Sequence, residues 1–175
     1  MAFRHRVIKG LKWVEDPATN YEPDGWPPPR KSKARYVKAG LLFQDQVSRY
    51  MVARYGARIL VGPWIRFEDE NGPGLAQPDI IFSRADQLGI VVIECKLSYT
   101  PRKAKSQVMD LYVPLLEHLY LGEPISGVQV CRRLTRSAKK DKNLLSSLDE
   151  VLSGEVDSGF YSVKFEPPPT SRRSK

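Results

Sequence analysis

Apolar residues recur along the chain with two different periods, and each change of period marks a new element. From Ala34 to Tyr55, Tyr36, Leu42 or Phe43, Val47, Tyr50 and Met51 return at helical spacing. This predicts a helix with one apolar stripe, stopped at Gly56. Arg58 to Phe67 (RILVGPWIRF) predicts a strand, and Asp69 to Gln77 (DENGPGLAQ) a turn-rich loop. Two strand-like runs follow, Asp79 to Ser83 (DIIFS) and Gly89 to Leu97 (GIVVIECKL). Arg84 to Leu88, between them, suits a hairpin loop.

Thr100-Pro101 marks a helix start, with Thr as N-cap and Pro in the first turn. The helix should run to about Leu121 on the stripe Val108, Leu111, Tyr112, Leu115 and Leu119, kinked or split by Pro114. Then come a strand at Ile125 to Leu134, a basic loop at Ser137 to Lys142 and a short helix at Asn143 to Leu152. A last strand, Gly159 to Phe165, is expected at a sheet edge. Before the first helix, Arg6 to Val14 is a β-like run broken by Gly10, and residues 16 to 32 are rich in Pro, Asp, Asn and Gly. The expected organisation is an irregular arm over 1–32, one domain over 33–165, and a disordered basic tail over 166–175. Helix, three strands, helix, strand, short helix, strand is an α/β layout with a mixed central sheet.

A chain of 175 residues can bury a core without disulfides or structural metal. No apolar run is long enough to cross a membrane, and MAFRHRVIKG contains no apolar signal segment. A cytoplasmic location is expected, the host cytoplasm if the chain is phage-encoded. Cys95 and Cys131 lack zinc spacing and suit buried, reduced thiols. The net charge of +8 favours a polyanionic partner. Its cations cluster at Arg4 to Lys12, Arg30 to Lys38, Arg102 to Lys105, Arg132 to Lys142 and in the tail. His5 and His118 have no accompanying acid or nucleophile motif. Trp13, Trp26 and Trp64 suit packing better than base stacking.

The chemistry lies in Gln77-Pro78-Asp79 and Ile93-Glu94-Cys95-Lys96. Strand side chains alternate between faces, so Glu94, Lys96 and Ser98 share one face and Ile93, Cys95 and Leu97 the other. Asp79 opens the neighbouring strand, about 5 Å away in a hairpin. Two carboxylates can hold a hard divalent ion such as Mg²⁺ or Mn²⁺. Such an ion polarises a phosphoryl oxygen and helps form hydroxide. A lysine beside it can orient or deprotonate water and balance charge in the transition state.

This PD…ECK pattern resembles the PD-(D/E)xK nuclease superfamily, over roughly Tyr36 to Leu134. The resemblance implies a restriction-endonuclease-like core and metal-dependent hydrolysis of DNA leaving a 5′-phosphate. It makes Asp79 and Glu94 metal ligands, with the backbone carbonyl of Cys95, and Lys96 the catalytic lysine. On the following helix it makes Gln107 a supporting residue, with Tyr112 beyond it. Their spacing is one residue longer than the Gln-x3-Tyr of the RecB-like branch. Many members also have a Glu on the leading helix after a Gly. Here Gly40 is followed by Gln44 and Asp45. Either Gln44 is a neutral ligand, or Asp45 substitutes, or the position is unused.

Arg102, Lys103, Lys105, Arg132 and Arg133 flank the motif and are the expected phosphate contacts, with Arg30 to Arg35 reaching along the duplex. DNA is the expected partner, and a homo-oligomer is left open. Rival readings are a Holliday-junction resolvase, an exonuclease or transposon end-cleaving subunit, a catalytically inactive DNA-binding protein on the same fold, and a subunit whose basic clusters dock acidic proteins.

Overall fold

The computed structural model describes residues 6–19, 35–85, 89–154 and 157–166. The cluster at Arg30 to Lys38 falls mostly outside these residues, as do most of the 16–32 segment, the tail, His5 and Trp26.

The long apolar stripe forms α1, Arg35–Tyr55. The two motif runs form β5, Ile80–Ser83, and β6, Ile90–Ser98, paired antiparallel with Ile80 opposite Ile93. Two strands lie parallel beyond β6, first β7 (Ile125–Arg133) and then β9 (Phe160–Lys164). With β2 (Ile59–Val61) and β8 (Leu144–Leu145) they make a six-stranded mixed sheet, order β2-β5-β6-β7-β9-β8. Helices cover both faces, as the α/β reading expects. Phe43, Val47 and Met51 of α1, with Val151 and Leu152 of α4 (Leu148–Leu152), pack on Ile80, Ile93 and Val128. On the other face, Ala104, Val108, Tyr112 and Leu116 pack on Ile81, Ile90 and Val92. No helix among the described residues is long and apolar enough to cross a membrane.

The structure corrects the sequence reading in several places. The expected strand Arg58 to Phe67 is cut at Gly62, whose φ of 56° favours glycine, followed by Pro63. Its second half, β3 (Ile65–Asp69), leaves for a separate three-stranded sheet, where it lies between β1 (Trp13–Val14) and β4 (Gly72–Ala76). The expected loop Asp69 to Gln77 is a hairpin, because Gly72–Ala76 forms β4 against β3. Asn71-Gly72 is its turn signal: Asp69 accepts the Asn71 N–H at 2.7 Å, and Gly72 takes φ 92°. Of Arg6 to Val14 only Trp13–Val14 forms a strand, β1. The short helix begins five residues late, at Leu148, because Leu144–Leu145 pairs as β8 and Ser147 with Glu150 forms a capping box. The last strand is not at the edge, since β8 covers it.

The helix after Pro101 holds the largest surprise. It runs as α2 (Pro101–Gln107), a π-helical turn (Val108–Tyr112) and α3 (Val113–Leu119). Thr100 stands at the N-cap without capping through its side chain. Pro114 does not split the helix. Proline lacks an N–H and its ring presses on the carbonyl four residues back, here Asp110. A widened turn accommodates both problems, with the Val113 N–H bonded to the Val108 carbonyl. The Asp110 carbonyl instead accepts the backbone N–H of Ile8 at 3.1 Å.

Candidate active site

Asp79 stands one step ahead of β5. Continuing the Ile80–Ile93 register by one pair sets it opposite Glu94. Its Oδ2 accepts the backbone N–H of Cys95 at 2.6 Å, which fixes the carboxylate across the strand. Glu94 is 3% exposed, because the apolar run that precedes it carries β6 through the sheet centre. Cys95 and Leu97 turn into the α1 layer, leaving Glu94 and Lys96 on the α2 face.

Glu94 Oε1 accepts the Lys96 ammonium, while its Oε2 is buried without a hydrogen-bond partner among the described residues. Lys96 Nζ also donates to Gln107 Oε1 at 3.2 Å. Gln107 Nε2 donates to the Tyr112 hydroxyl at 2.6 Å, and that hydroxyl donates to the Gln77 carbonyl at 3.0 Å. The chain of contacts therefore runs from Lys96 back to the loop that leads into Asp79.

Burial, and next the charge of Glu94, hold the Asp79 carboxyl well above its ordinary value. Burial raises Glu94 too, against the opposing pull of Lys96 and, more weakly, Lys103. Burial first, then the two carboxylates, keeps the Tyr112 phenol protonated far beyond its usual range. The Cys95 thiol is raised by burial and by both acids, which leaves it a poor nucleophile. Both cysteines are free, as expected, with Cys131 buried and Cys95 half-buried.

The structure thus gathers Asp79, Glu94, Lys96, Gln107 and Tyr112. It does not link Gln44 or Asp45 to them by any hydrogen bond or ion pair among the described residues. Both lie on α1, across the sheet from Glu94. Gln44 is half-buried, and Asp45 is exposed and paired with Arg49 at 3.0 Å. Among the described residues no three His, Cys, Asp or Glu side chains gather as a metal cage. Arg102, Lys103 and Lys105 are exposed on α2, and Arg132 and Arg133 at the end of β7.

Two site residues escape a reading of the motif alone. The Gln77 carbonyl is a main-chain group with no sequence signature. Gln129 faces Glu94 directly across β6 and β7, fully buried, with Oε1 lacking a partner. Its signal was a polar residue inside the apolar run GVQVC.

No protein-family model and no curated protein matches the chain. Among solved structures it is similar to a chain of the EndoMS-dsDNA2 complex, at 22% identity and a TM-score of 0.35, over 82% of this chain. The alignment spans 51% of that chain, about half its length.

Proposed function

We propose that the chain is a divalent-metal-dependent nuclease that hydrolyses phosphodiester bonds in DNA. The observation that supports this best is the pairing of a half-buried acid, Asp79, with a buried one, Glu94, beside a lysine, with Glu94 Oε2 left without a hydrogen-bond partner among the described residues. Two adjacent carboxylates, both held above their ordinary pKa, are costly to ionise together unless a cation lies between them. The donor set is all oxygen, which suits Mg²⁺ or Mn²⁺. Asp79, Glu94 and the backbone carbonyl of Cys95 would hold the ion. When bound, it would supply Lewis-acid polarisation of the phosphoryl group and a more acidic water.

The chain's own groups do the rest. The Cys95 N–H orients Asp79. Gln107 and Glu94 hold the Lys96 ammonium from two sides, so it meets the substrate already placed. There it orients the attacking water and offsets charge growing on the phosphoryl oxygens. Tyr112 keeps Gln107 turned toward Lys96. The cations of α2 and β7 hold flanking phosphates.

The test is a cleavage assay on linear, circular and four-way-junction DNA with Mg²⁺, Mn²⁺ or EDTA, using wild type and Lys96→Ala. Metal-dependent cutting that the variant loses is the expected result, and the substrate panel separates exonuclease, resolvase and end-cleaving activities. The absence of a third acid at the site among the described residues, with Gln44 where many relatives of the motif have Glu, favours one rival reading. That rival is a DNA-binding protein without catalysis, marked by tight duplex binding and no cutting with either metal.

A further inference from the structure

Arg6, Lys12, Arg49, Arg54, Arg66 and Lys164 each pair with a carboxylate. Arg102, Lys105 and Lys140 form no ion pair or side-chain hydrogen bond among the described residues, and all three line one cleft of about 320 Å³. The cleft opens between the start of α2, the 3₁₀ turn Arg136–Lys140 and the segment after it. Ser137 and Asn143 add neutral hydrogen-bond donors to its wall. The one acid there, Asp141, is already engaged: Oδ2 accepts the Tyr99 hydroxyl at 2.5 Å, and Oδ1 the Asn143 N–H at 2.9 Å. Tyr99 and Phe160 are buried behind it and give the cleft a firm apolar base.

Helix α2 separates this cleft from the carboxylate pair. Its Gln107 bonds to Lys96 on the site side. Its Pro101, Arg102 and Lys105 address the cleft. Three unpaired cations on one cleft wall, with Asn143 beside them, match a phosphate group, which offers several acceptor oxygens and negative charge.

We infer that this cleft is a second phosphate subsite, which grips a flanking phosphate of the nucleic-acid strand whose scissile bond lies at Asp79 and Glu94. The inference rests on the hydrolase reading for the identity of the strand.

The test is anisotropy of a labelled DNA duplex in EDTA, titrated at several salt concentrations, with wild type, Arg102→Ala/Lys105→Ala/Lys140→Ala, and the control Lys12→Ala/Arg49→Ala. One phosphate lost from the contact set lowers the log–log salt slope by about 0.9. That fall in the triple variant, with an unchanged control, is the expected result. An unchanged slope overturns the subsite and leaves the basic cleft to an acidic protein partner. A fall of about 2.7, the value for three separate phosphates, overturns it too, as does a wild type that binds no duplex. If the triple variant melts early, Lys140→Glu on the exposed turn replaces it. That variant must weaken low-salt binding about tenfold, while Lys12→Glu must not. Duplexes with and without terminal phosphates distinguish a strand end from an internal diester. Cleavage with Mg²⁺ is read in parallel. A protein that never cuts but shows the slope change keeps the subsite and loses the hydrolase reading, and one that cuts with an unchanged slope does the reverse.

Discussion

Gln107 and Tyr112 are five residues apart, yet their side chains meet at 2.6 Å. In a regular α-helix five residues turn through about 500°, which would set the two on diverging sides. The π-helical turn Val108–Tyr112 absorbs the additional residue and restores a shared face. The longer spacing in the sequence is thus matched by a wider turn in the structure, and Tyr112 buttresses Gln107, which buttresses Lys96.

Removing that support should be graded. Gln107→Ala is expected to slow cleavage roughly tenfold to a hundredfold, the usual cost of losing an outer supporting hydrogen bond. Tyr112→Phe should slow it less, since Gln107 keeps its bond to Lys96. Steady-state kinetics on one linear substrate checks the order. Equal rates for all three proteins would remove this relay from the site.

Glu94→Gln should cut activity about a thousandfold and yet leave the fold intact or more stable. The pH dependence has a definite sign. Asp79 and Glu94 retain their protons to higher pH when folded than when unfolded. Between the unfolded value of about 4 and the raised folded values, the native state binds more protons. Stability therefore falls as pH rises through that window. Melting curves of wild type should decline there more steeply than those of Glu94→Gln, and Mg²⁺ should narrow the gap. Superimposable curves would mean the two acids are not coupled in burial.

Gly127 lies beneath the π turn on β7. A Cβ added there would stand 2.5 Å from Val108 Cγ1 and 3.1 Å from Phe160. Gly127→Ala should therefore lift the turn off the sheet, costing about 1 to 3 kcal/mol by overpacking. Because Val108 follows Gln107 directly, activity should fall further than the loss of stability explains. Denaturant melts beside kcat measurements separate the two effects, and a fully active variant would show that the turn has slack.

Asp69 should govern acid stability. Burial pushes its carboxyl up, but hydrogen bonds from Arg6, Asn71 and Lys9 outweigh it and hold the value at about 2. A depressed acid stabilises the fold above its unfolded value and loses that contribution as pH falls. The loss should run from about 4 down through about 2. Asp69→Ala should cost about 1 to 3 kcal/mol at neutral pH, the usual loss when charged hydrogen bonds in a part-buried site are removed. Urea melts at pH 7 and pH 3 check both statements; the variant should be the less sensitive of the two proteins to acid.

How much of this was legible beforehand follows from where the information lies. The motif strands were readable because VVI before ECK demands burial on both faces, and alternation then assigns Glu94 and Lys96 to one side. Gln107 was readable because its helix starts at a Thr-Pro signal. The β3–β4 hairpin was missed although Asn71-Gly72 announces a tight turn, because Pro73 and Gly74 weaken the strand that follows. An edge position tolerates them. The late start of α4 was missed although Ser147 and Glu150 have capping-box spacing. The inner position of β9 could not be read, because the strand that covers it is only two residues long. Nor could the π turn: its cause is Pro114, but a proline in a helix announces a disturbance without saying which kind.

The backbone bond between Ile8 and Asp110 ties residue 8 to the π-helical turn that brings Gln107 and Tyr112 together. A tag, a tether or a surface attachment that pulls on residue 8 therefore pulls on the machinery itself. A drop in turnover when residue 8 is tethered would then be a mechanical effect.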